Sequence, residues 1–278
     1  MNALLQTKGS YTMLQTFSMY IKPFEQERDV TVYLPRRYHD EDKSYPVLYM
    51  HDGQNVFEDS DAVGGRSLGL REFLELSGTE AIVVAIHSNL SSEQRGAEYR
   101  PWLNADGGNG KGEAYIDFIV EKLKPFIDQV YRTIPDQTSM AGISLGGLLS
   151  LYAACRYPHV FQKVACVSAY LDQLESLEQL ILSSDLSALQ KVYLDCGTLE
   201  GENAAQHQFF LESNQAIYAR LQNKVENVTF DIIEGGKHEY TYFKERVPAV
   251  LSFFLDKDCR IRLRADDFTT VWESPMSL

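Results

Sequence analysis

Residues 139–154 read SMAGISLGGLLSLYAA, and they place Ser144 between Gly142 and Gly146, each two positions away. The residues before the serine have the apolar pattern of a buried strand, and those after it have the length and composition of a helix. A serine in the pattern G-x-S-x-G, on a sharp strand-to-helix turn, is typical of a nucleophile that projects from the end of a sheet. The stretch therefore predicts a catalytic serine. Its structural alternative is a small-residue turn that packs a helix on a sheet.

Apolar, β-rich runs alternate with helical patterns along most of the chain around this turn. Strands are expected at 11–20, 28–35, 45–52, 80–87, 138–143, 163–170, 190–197 and 228–236, and helices at 70–76, 112–131, 145–157, 174–182, 204–222 and 240–255. Short polar turns between the early strands favour antiparallel pairing, whereas the later, near-continuous apolar strands favour a parallel sheet. The pattern predicts a three-layer α/β fold with a mostly parallel central sheet and antiparallel N-terminal strands.

The length of 278 residues fits one α/β domain. We expect a single domain over 1–278 that carries an extra C-terminal tail from about residue 257, where the alternation of strands and helices ends. The glycine-rich segment 104–113, NADGGNGKGE, is the most obvious candidate for a mobile loop.

Charge and composition limit the partners. The formal net charge of −13, without a long single-sign run, argues against nucleic acid as a partner. No apolar run approaches the roughly 20 residues that span a bilayer, and the start of the chain lacks the pattern of a signal peptide, so we expect a cytoplasmic protein with no membrane partner. The cysteines lie far apart without a CxxC pair, and we expect buried thiols rather than zinc ligands or disulfides. They are Cys155, Cys166, Cys196 and Cys259.

A serine hydroxyl becomes a good nucleophile when a base accepts its proton and an acid holds that base. In α/β-hydrolases both follow the serine along the chain. The strand end and loop KVYLDCGTLEGEN carries Asp195, Glu200 and Glu202, and FDIIEGGKHEYTYF delivers His238 just ahead of a helix. The residues favour His238 as the base and leave the three carboxylates open as the acid. The other histidines have contexts that favour structural or exposed positions: His39, His87, His159 and His207.

His51 opens the segment HDGQN, which follows a strand. At this place α/β-hydrolases supply a backbone N–H to the developing oxyanion. We expect the oxyanion donors to be the backbone N–H groups of Gln54, with Gly53 as the alternative, and of Leu145. The structural alternative for HDGQN is an ordinary Asp-Gly turn.

The segment RGAEYRPW offers a candidate substrate-binding surface. Arg95 and Arg100, with Tyr99 and Trp102, could bind acidic or aromatic groups of a substrate. The equally open alternative is a surface loop in which Glu98, Tyr99 and Trp102 pack against the domain.

Five segments together resemble a known family. In chain order they are YPVLYMHDGQNVF, EYRPW, AGISLGGLLSLYAACRYPHVF, YLDCGTLEGE and GGKHEYTYF. They are similar to the putative-esterase family of α/β-hydrolases, which includes esterase D (S-formylglutathione hydrolase), feruloyl esterases, mycolyltransferases and enterochelin-type siderophore esterases. The similarity spans roughly residues 28–255 and is greatest to the siderophore-esterase-like branch.

The resemblance implies an α/β-hydrolase fold with Ser144 as nucleophile, His238 as base and Glu200 as the orienting acid. Leu145 stands where the family often has methionine, which a backbone donor tolerates. The implied function is a serine carboxylic-ester hydrolase that acts through an acyl-enzyme, without a cofactor or metal, on small-molecule esters with small or aromatic acyl groups, including siderophore-type esters. The alternatives are an acyltransferase, an S-formylglutathione or feruloyl-type esterase, and a non-catalytic binding module.

Overall fold

The computed structural model of the protein describes residues 13–102 and 110–255. The tail from residue 257, Cys259 and most of the glycine-rich segment 104–113 lie outside these residues. The strands are β1 (Leu14–Ile21), β2 (Gln26–Tyr33), β3 (Tyr45–Met50), β4 (Ile82–Ile86), β5 (Thr133–Ile143), β6 (Lys163–Val167), β7 (Lys191–Leu199) and β8 (Asn227–Lys237). The helices are α1 (Leu70–Ser77), α2 (Ser92–Tyr99), α3 (Gly112–Phe118), α4 (Lys124–Val130), α5 (Leu145–Arg156), α6 (Leu174–Ser183), α7 (Ala204–Leu221), α8 (Tyr240–Lys244) and α9 (Val247–Leu255).

The strands form one sheet in the order β1-β2-β4-β3-β5-β6-β7-β8. Strand β2 pairs antiparallel with β1 and β4, and all pairs from β4 through β3 to β8 are parallel. The expected antiparallel pairing of the early strands is wrong for β3, which lies between β4 and β5. All of β3 except Pro46 is buried, so this strand needs neighbours on both edges and cover on both faces.

The sheet lies between two hydrophobic cores. Successive side chains of a strand point to opposite faces, so Val47 and Tyr49 enter the core beside α3 to α7, while Leu48 and Met50 enter the core beside α1, α8 and α9. The same alternation continues through β4 to β7. This is the predicted three-layer arrangement, and it places the carboxyl ends of the parallel strands along one edge, where open α/β sheets bind ligands.

Three helical segments differ from the expectation. The single helix predicted over 240–255 is two helices, α8 and α9, separated by a turn at Glu245 and Arg246, because Pro248 lacks the N–H that a continuous helix needs. The single helix predicted over 112–131 is divided by a π-helical turn over Ile119–Leu123, just before Pro125, which lacks the N–H that a continuous helix needs. Helix α2 was not predicted, because its residues are mostly polar. Its N-cap is Ser91, whose side chain accepts a hydrogen bond from the backbone N–H of Gln94.

The described residues also test two smaller expectations. No helix within 13–102 and 110–255 is long and apolar enough to cross a membrane. Cys155, Cys166 and Cys196 are free and buried, as predicted, and burial raises the pKa of Cys155 and Cys196 to about 12. These thiols therefore act as small apolar side chains.

Candidate active site

The backbone at Ser144 has the conformation of a strained strand-to-helix turn. Strand β5 ends at Ile143, helix α5 begins at Leu145, and Ser144 between them has φ 60° and ψ −124°. A residue with a β-carbon rarely adopts a positive φ, so the surrounding contacts have to hold it there. A β-carbon at Gly142 would lie 2.2 Å from the carbonyl oxygen of Gly146. Any residue other than glycine at position 142 would therefore clash with the backbone of Gly146.

Of the three candidate carboxylates, the one that the family resemblance implies, Glu200, contacts His238. Oε2 of Glu200 lies 2.8 Å from Nδ1 of His238. The other oxygen, Oε1, accepts hydrogen bonds from the backbone N–H of Gly197 at 2.7 Å and from the hydroxyl of Ser168. The Glu200 side chain is completely buried. The fold thus brings together two residues that lie 38 positions apart in the sequence.

The charge state of Glu200 follows from its surroundings. Burial alone would raise the pKa of Glu200, but hydrogen bonds with His238 and Ser168, and the charges of His238 and Arg246, outweigh burial and lower the pKa. The carboxylate is therefore ionised near neutral pH. In this state it can orient the imidazole and stabilise a positive charge on it.

Asp195 and Glu202 occupy other positions. Oδ1 of Asp195 accepts hydrogen bonds from Nη1 of Arg246 and from the backbone N–H of Ser168, both at 3.0 Å. Burial raises the pKa of Asp195 to about 6, against the opposing charge of Arg246. Glu202 is exposed ahead of α7. Within the described residues, neither carboxylate forms a hydrogen bond with His238.

His238 lines an open cleft that Ser144 also lines, with a volume of about 1030 Å³. The ring centroid of His238 is 5.1 Å from that of Phe210 and 5.2 Å from that of Phe243, which packs edge-on. These contacts restrict the plane of the imidazole. Because Nδ1 bonds Glu200, Nε2 is the ring nitrogen left to exchange a proton with a hydroxyl group in the cleft.

One wall of the cleft is aromatic. The ring centroid of Tyr170 lies 5.7 Å from that of Phe209 and 5.4 Å from that of Phe210. Phe209 remains 37% exposed, so its ring offers a stacking surface to a planar group. The sequence analysis did not single out these rings, although two of them stand side by side as FF in α7. Polar and charged side chains also line the cleft: Asp172, Glu202, Gln206, His207, Lys237 and Glu239.

The turn after β3 lies at the same edge of the sheet. Asp52 has a left-handed conformation with φ 56°, and a short 3₁₀ turn begins at Gly53. Nε2 of Gln54 donates to the hydroxyl of Ser88 at 2.8 Å, and Oε1 of Gln54 accepts from the backbone N–H of Ser88 at 3.0 Å. Leu145 opens α5, where a backbone N–H has no preceding helical carbonyl to bond. The expected oxyanion donors thus come from two adjacent elements.

An ion pair braces this turn from the side of α2. Nε and Nη2 of Arg95 donate to the two carboxylate oxygens of Asp52 at 2.6 and 2.7 Å. The hydroxyl of Tyr99 accepts a hydrogen bond from the backbone N–H of Asp52 at 2.9 Å. The Arg95 guanidinium also lies 4.8 Å from the centre of the Tyr99 ring. Arg95 and Tyr99 therefore hold Asp52 in its left-handed conformation.

The four residues predicted to bind substrate are not assembled on one surface. Arg95 is occupied by Asp52, and Tyr99 is 1% exposed, so neither side chain is free to contact a ligand in this structure. Trp102 is half-buried and packs against the core. Arg100 donates from Nε to Asp172 at 2.6 Å, and Asp172 lines the cleft. The packing alternative describes Glu98, Tyr99 and Trp102, which pack against the domain, with the difference that most of the segment is helical.

His51 is enclosed beneath the same turn. Its ring centroid lies 5.3 Å from that of Tyr99 and 5.9 Å from that of Tyr115. Neither ring nitrogen has a hydrogen-bond partner among the described residues. Burial lowers the pKa of His51 to about 4, so the ring is neutral near pH 7.

Sequence reasoning missed two residues behind Glu200. Ser168 follows β6, is completely buried and has φ 44°. Arg246 lies between α8 and α9 and is 4% exposed. The position of Ser168, directly after a strand beside β5, is a signal that the sequence contains. The burial of Arg246 has no such signal, because arginine is rarely buried.

Comparison with known proteins identifies the family of this chain. The family model described as "Putative esterase" matches residues 21–254. The chain belongs to this esterase family. The resemblance seen in the sequence is therefore confirmed. As a member of this family, the protein is a carboxylic-ester hydrolase.

Individual proteins are similar to this esterase in sequence or in fold. The uncharacterized protein YjcH of Bacillus subtilis (strain 168) is 28% identical over 250 residues, which cover 87% of this chain and 97% of YjcH. A ferulic acid esterase has a TM-score of 0.66 at 21% identity and covers 87% of this chain and 97% of its own. Siderophore hydrolase EstB from Aspergillus nidulans has a TM-score of 0.70 at 18% identity, with 90% and 97% covered. The α/β-hydrolase fold is confirmed.

Proposed function

We propose that this esterase hydrolyses small or aromatic acyl esters through an acyl-enzyme on Ser144, with His238 as the base and Glu200 as the orienting acid. The observation that carries the proposal is the 2.8 Å contact between Glu200 and His238 in a cleft that Ser144 also lines. The strained turn at Ser144 supports it, because backbone strain persists where the surrounding structure maintains it for a purpose such as exposing a nucleophile.

The first half of the reaction forms the acyl-enzyme. Oγ of Ser144 attacks the ester carbonyl carbon while Nε2 of His238 accepts the hydroxyl proton. The carbonyl oxygen becomes an oxyanion, which accepts hydrogen bonds from the backbone N–H groups of Gln54 and Leu145. As the bond to the alcohol oxygen breaks, His238 returns the proton to the leaving alcohol.

The second half repeats these steps with water. His238 takes a proton from a water molecule, which attacks the acyl carbon, and the proton then returns to Ser144 as the acid leaves. The imidazolium ion forms in both halves, and the ionised Glu200 beside Nδ1 lowers the free energy of that ion. The protein residues account for each proton transfer without a cofactor.

The aromatic wall supports the choice of acyl group. Tyr170, Phe209 and Phe210 line the cleft beside Ser144 and His238, and aromatic rings bind planar groups by offset or edge-on stacking. The ferulic acid esterase and the siderophore hydrolase among the structural neighbours support the same class of ester. We therefore propose aromatic acyl esters, including siderophore-type esters, ahead of long-chain lipids.

The test is covalent labelling followed by a substrate panel. We expect a fluorophosphonate to add one phosphonyl group to the wild-type protein and none to Ser144→Ala, as measured by intact mass. Ser150→Ala, which changes a buried serine of α5, should label like the wild type. Full labelling of Ser144→Ala would exclude the nucleophile.

The panel contains p-nitrophenyl acetate, a feruloyl ester, a catecholate trilactone and a long-chain p-nitrophenyl ester. We expect kcat/KM to be higher for the aromatic acyl esters than for the long-chain ester. The opposite order would contradict the proposed substrate class but not the assignment of Ser144 as the nucleophile. An added alcohol that appears in a new ester product would show acyl transfer in place of hydrolysis.

A further inference from the structure

Glu200 has three buried neighbours that the reaction steps above do not use. We name this group the acid cluster: Glu200, Asp195, Ser168 and Arg246. Nη1 of Arg246 donates to Oδ1 of Asp195 at 3.0 Å and to the hydroxyl of Ser168, and Nη2 donates to Oε1 of Glu200 at 3.3 Å. The Ser168 hydroxyl in turn donates to Oε1 of Glu200.

The acid cluster is enclosed on all sides. The side chains of Asp195 and Glu200 are completely buried, and that of Arg246 is 3% exposed. The backbone leaves room for the guanidinium, because a β-carbon at Gly236 would lie 2.8 Å from Nη2 of Arg246. Ser168 holds a left-handed backbone conformation that directs its N–H to Asp195 and its hydroxyl to Glu200. Solvent therefore screens the charges of the acid cluster only weakly.

The two buried carboxylates of the acid cluster, Asp195 and Glu200, share one guanidinium, that of Arg246. The cluster therefore holds one more negative group than positive groups. A second buried carboxylate near Glu200 disfavours the ionised form of both, whereas Arg246 favours it. Above about pH 6, where Asp195 is ionised and opposes the charge of Arg246, Glu200 keeps one uncompensated negative charge. That charge is neutralised when His238 becomes an imidazolium ion.

We infer that Arg246 and Asp195 are positioning residues of this esterase, which hold Oε2 of Glu200 on Nδ1 of His238 and set the negative charge that the imidazolium meets. The inference rests on the proposed function of Ser144, His238 and Glu200. Neither Arg246 nor Asp195 contacts the substrate in this scheme. They act through Glu200, and Ser168 connects the three side chains.

Charge changes at the two positions should move the pKa of His238 in opposite directions. Arg246→Met removes a positive charge and should raise that pKa, and Asp195→Asn removes a negative charge and should lower it. Each shift should be on the order of one pH unit. The double variant Arg246→Met/Asp195→Asn leaves Glu200 as the single charge and should return the pKa to near the wild-type value.

Other titratable groups face this region and remain the same in all variants. Tyr193 donates from its hydroxyl to Oδ2 of Asp195 at 3.2 Å, and Cys196 is buried nearby. The charged groups of the cleft wall are open to solvent, which screens them. Besides the varied Asp195 and Arg246, the titratable groups around His238 in the described residues are Tyr170, Asp172, Tyr193, Cys196, Glu200, Glu202, His207, Asp231, Lys237 and Glu239.

Two measurements on the full chain test the inference. The first is the pH profile of kcat/KM for p-nitrophenyl acetate. The second is the titration of His238 by NMR of protein labelled with ¹⁵N-histidine, with the His238 signals assigned from His238→Asn. We expect kcat to fall about 10-fold or more in Arg246→Met with little change in KM, and the double variant to recover most of the loss. Arg246→Lys should lie between Arg246→Met and the wild type.

Arg132→Met is the matched control. Arg132 is half-buried at the opposite end of β5, where it donates to the backbone carbonyls of Tyr38, Glu41 and Lys43 and stacks on the Tyr38 ring. The variant should lose stability without a shift in the pKa of His238. A destabilised fold alone would produce this same result in the cluster variants.

Equal pKa values of His238 in the wild type, the Arg246→Met and Asp195→Asn variants and the double variant, with activity losses that add in the double variant, would overturn the inference. A shift in the same direction for both single variants would do so as well. The NMR titration needs no catalysis, so it gives its answer even if Ser144→Ala shows that the proposed nucleophile is wrong.

Discussion

The two sides of the cleft each use an arginine, but they bury it to different depths. On the acid side, Arg246 is 3% exposed and lies between Asp195 and Glu200. On the oxyanion side, Arg95 is 23% exposed and forms a bidentate pair with Asp52. The first arginine serves two carboxylates, and the second serves one.

Because the two arginines differ in burial and in the number of carboxylates that they bond, we expect mutations at the two sites to change activity by different amounts. Loss of a partner in a fully buried ion pair leaves an uncompensated charge without solvent, which is strongly destabilising. Around a partly exposed pair, water and salt replace much of the lost interaction. Changes on the acid side should therefore have larger effects than changes on the oxyanion side, and the following predictions test that order.

The largest effect is expected from Glu200→Gln. An amide at this position keeps the shape of the side chain but cannot hold a charge against the imidazolium, and the equivalent change in a serine protease lowers kcat about 10⁴-fold. Glu202→Gln changes an exposed neighbour in the same loop and is the matched control, with activity near that of the wild type. Steady-state kinetics with p-nitrophenyl acetate measure both. Loss of activity in Glu202→Gln and not in Glu200→Gln would show that Glu200 is not the orienting acid.

A smaller effect, at most about 10-fold in kcat, is expected from Arg95→Met. Without the guanidinium, Asp52 is free to leave its left-handed conformation and the oxyanion donors after it are less well placed, and one such donor is worth about 10²–10³-fold. The loss should be similar for p-nitrophenyl acetate and for a catecholate ester, because every ester forms an oxyanion.

Arg100→Met is the comparison for this prediction. Arg100 also forms an ion pair with an aspartate, but that pair, with Asp172, lies at the rim of the cleft. We expect Arg100→Met to leave turnover of p-nitrophenyl acetate unchanged. A loss in Arg95→Met that is confined to the catecholate ester would instead return Arg95 to the substrate-binding set.

The smallest effect concerns stability and pH on the oxyanion side. The folded-state pKa of His51 is lowered to about 4, below its ordinary value, so its contribution to the free energy of unfolding is present above pH 6.5 and is lost as the pH falls toward 4. The loss is at most about 1.4 kcal/mol for each pH unit, about 3 kcal/mol in total.

His51→Phe removes the titrating group and no hydrogen bond, since both ring nitrogens lack partners in the described residues. Urea unfolding between pH 7 and pH 5 should show a steeper fall in stability for the wild type than for the variant. Parallel curves for the two proteins would contradict the burial of a neutral His51.

Most of the fold could be read from local patterns. The eight predicted strands all occur, because apolar runs bounded by turns depend on neighbouring residues alone. Helix α2 escaped prediction because few of its residues face the core, although Ser91 is a good N-cap. The position of β3 between β4 and β5 also escaped, since strand order depends on which strands need cover on both faces.

Some features of the candidate site could likewise be predicted from local sequence, and others depend on the tertiary structure. The sequence by itself determined the turn at Ser144 and the loop that carries His238, because glycine spacing and strand-helix alternation are local features. The family resemblance implied Glu200 as the acid that orients His238, but only tertiary structure brings the two side chains into contact. Tertiary structure alone decided that Arg246 joins Asp195 and that Arg95 bonds Asp52. These partners lie 38, 51 and 43 residues apart in the chain. Their contacts depend on burial and charge balance, which appear only when the strands have assembled into the sheet.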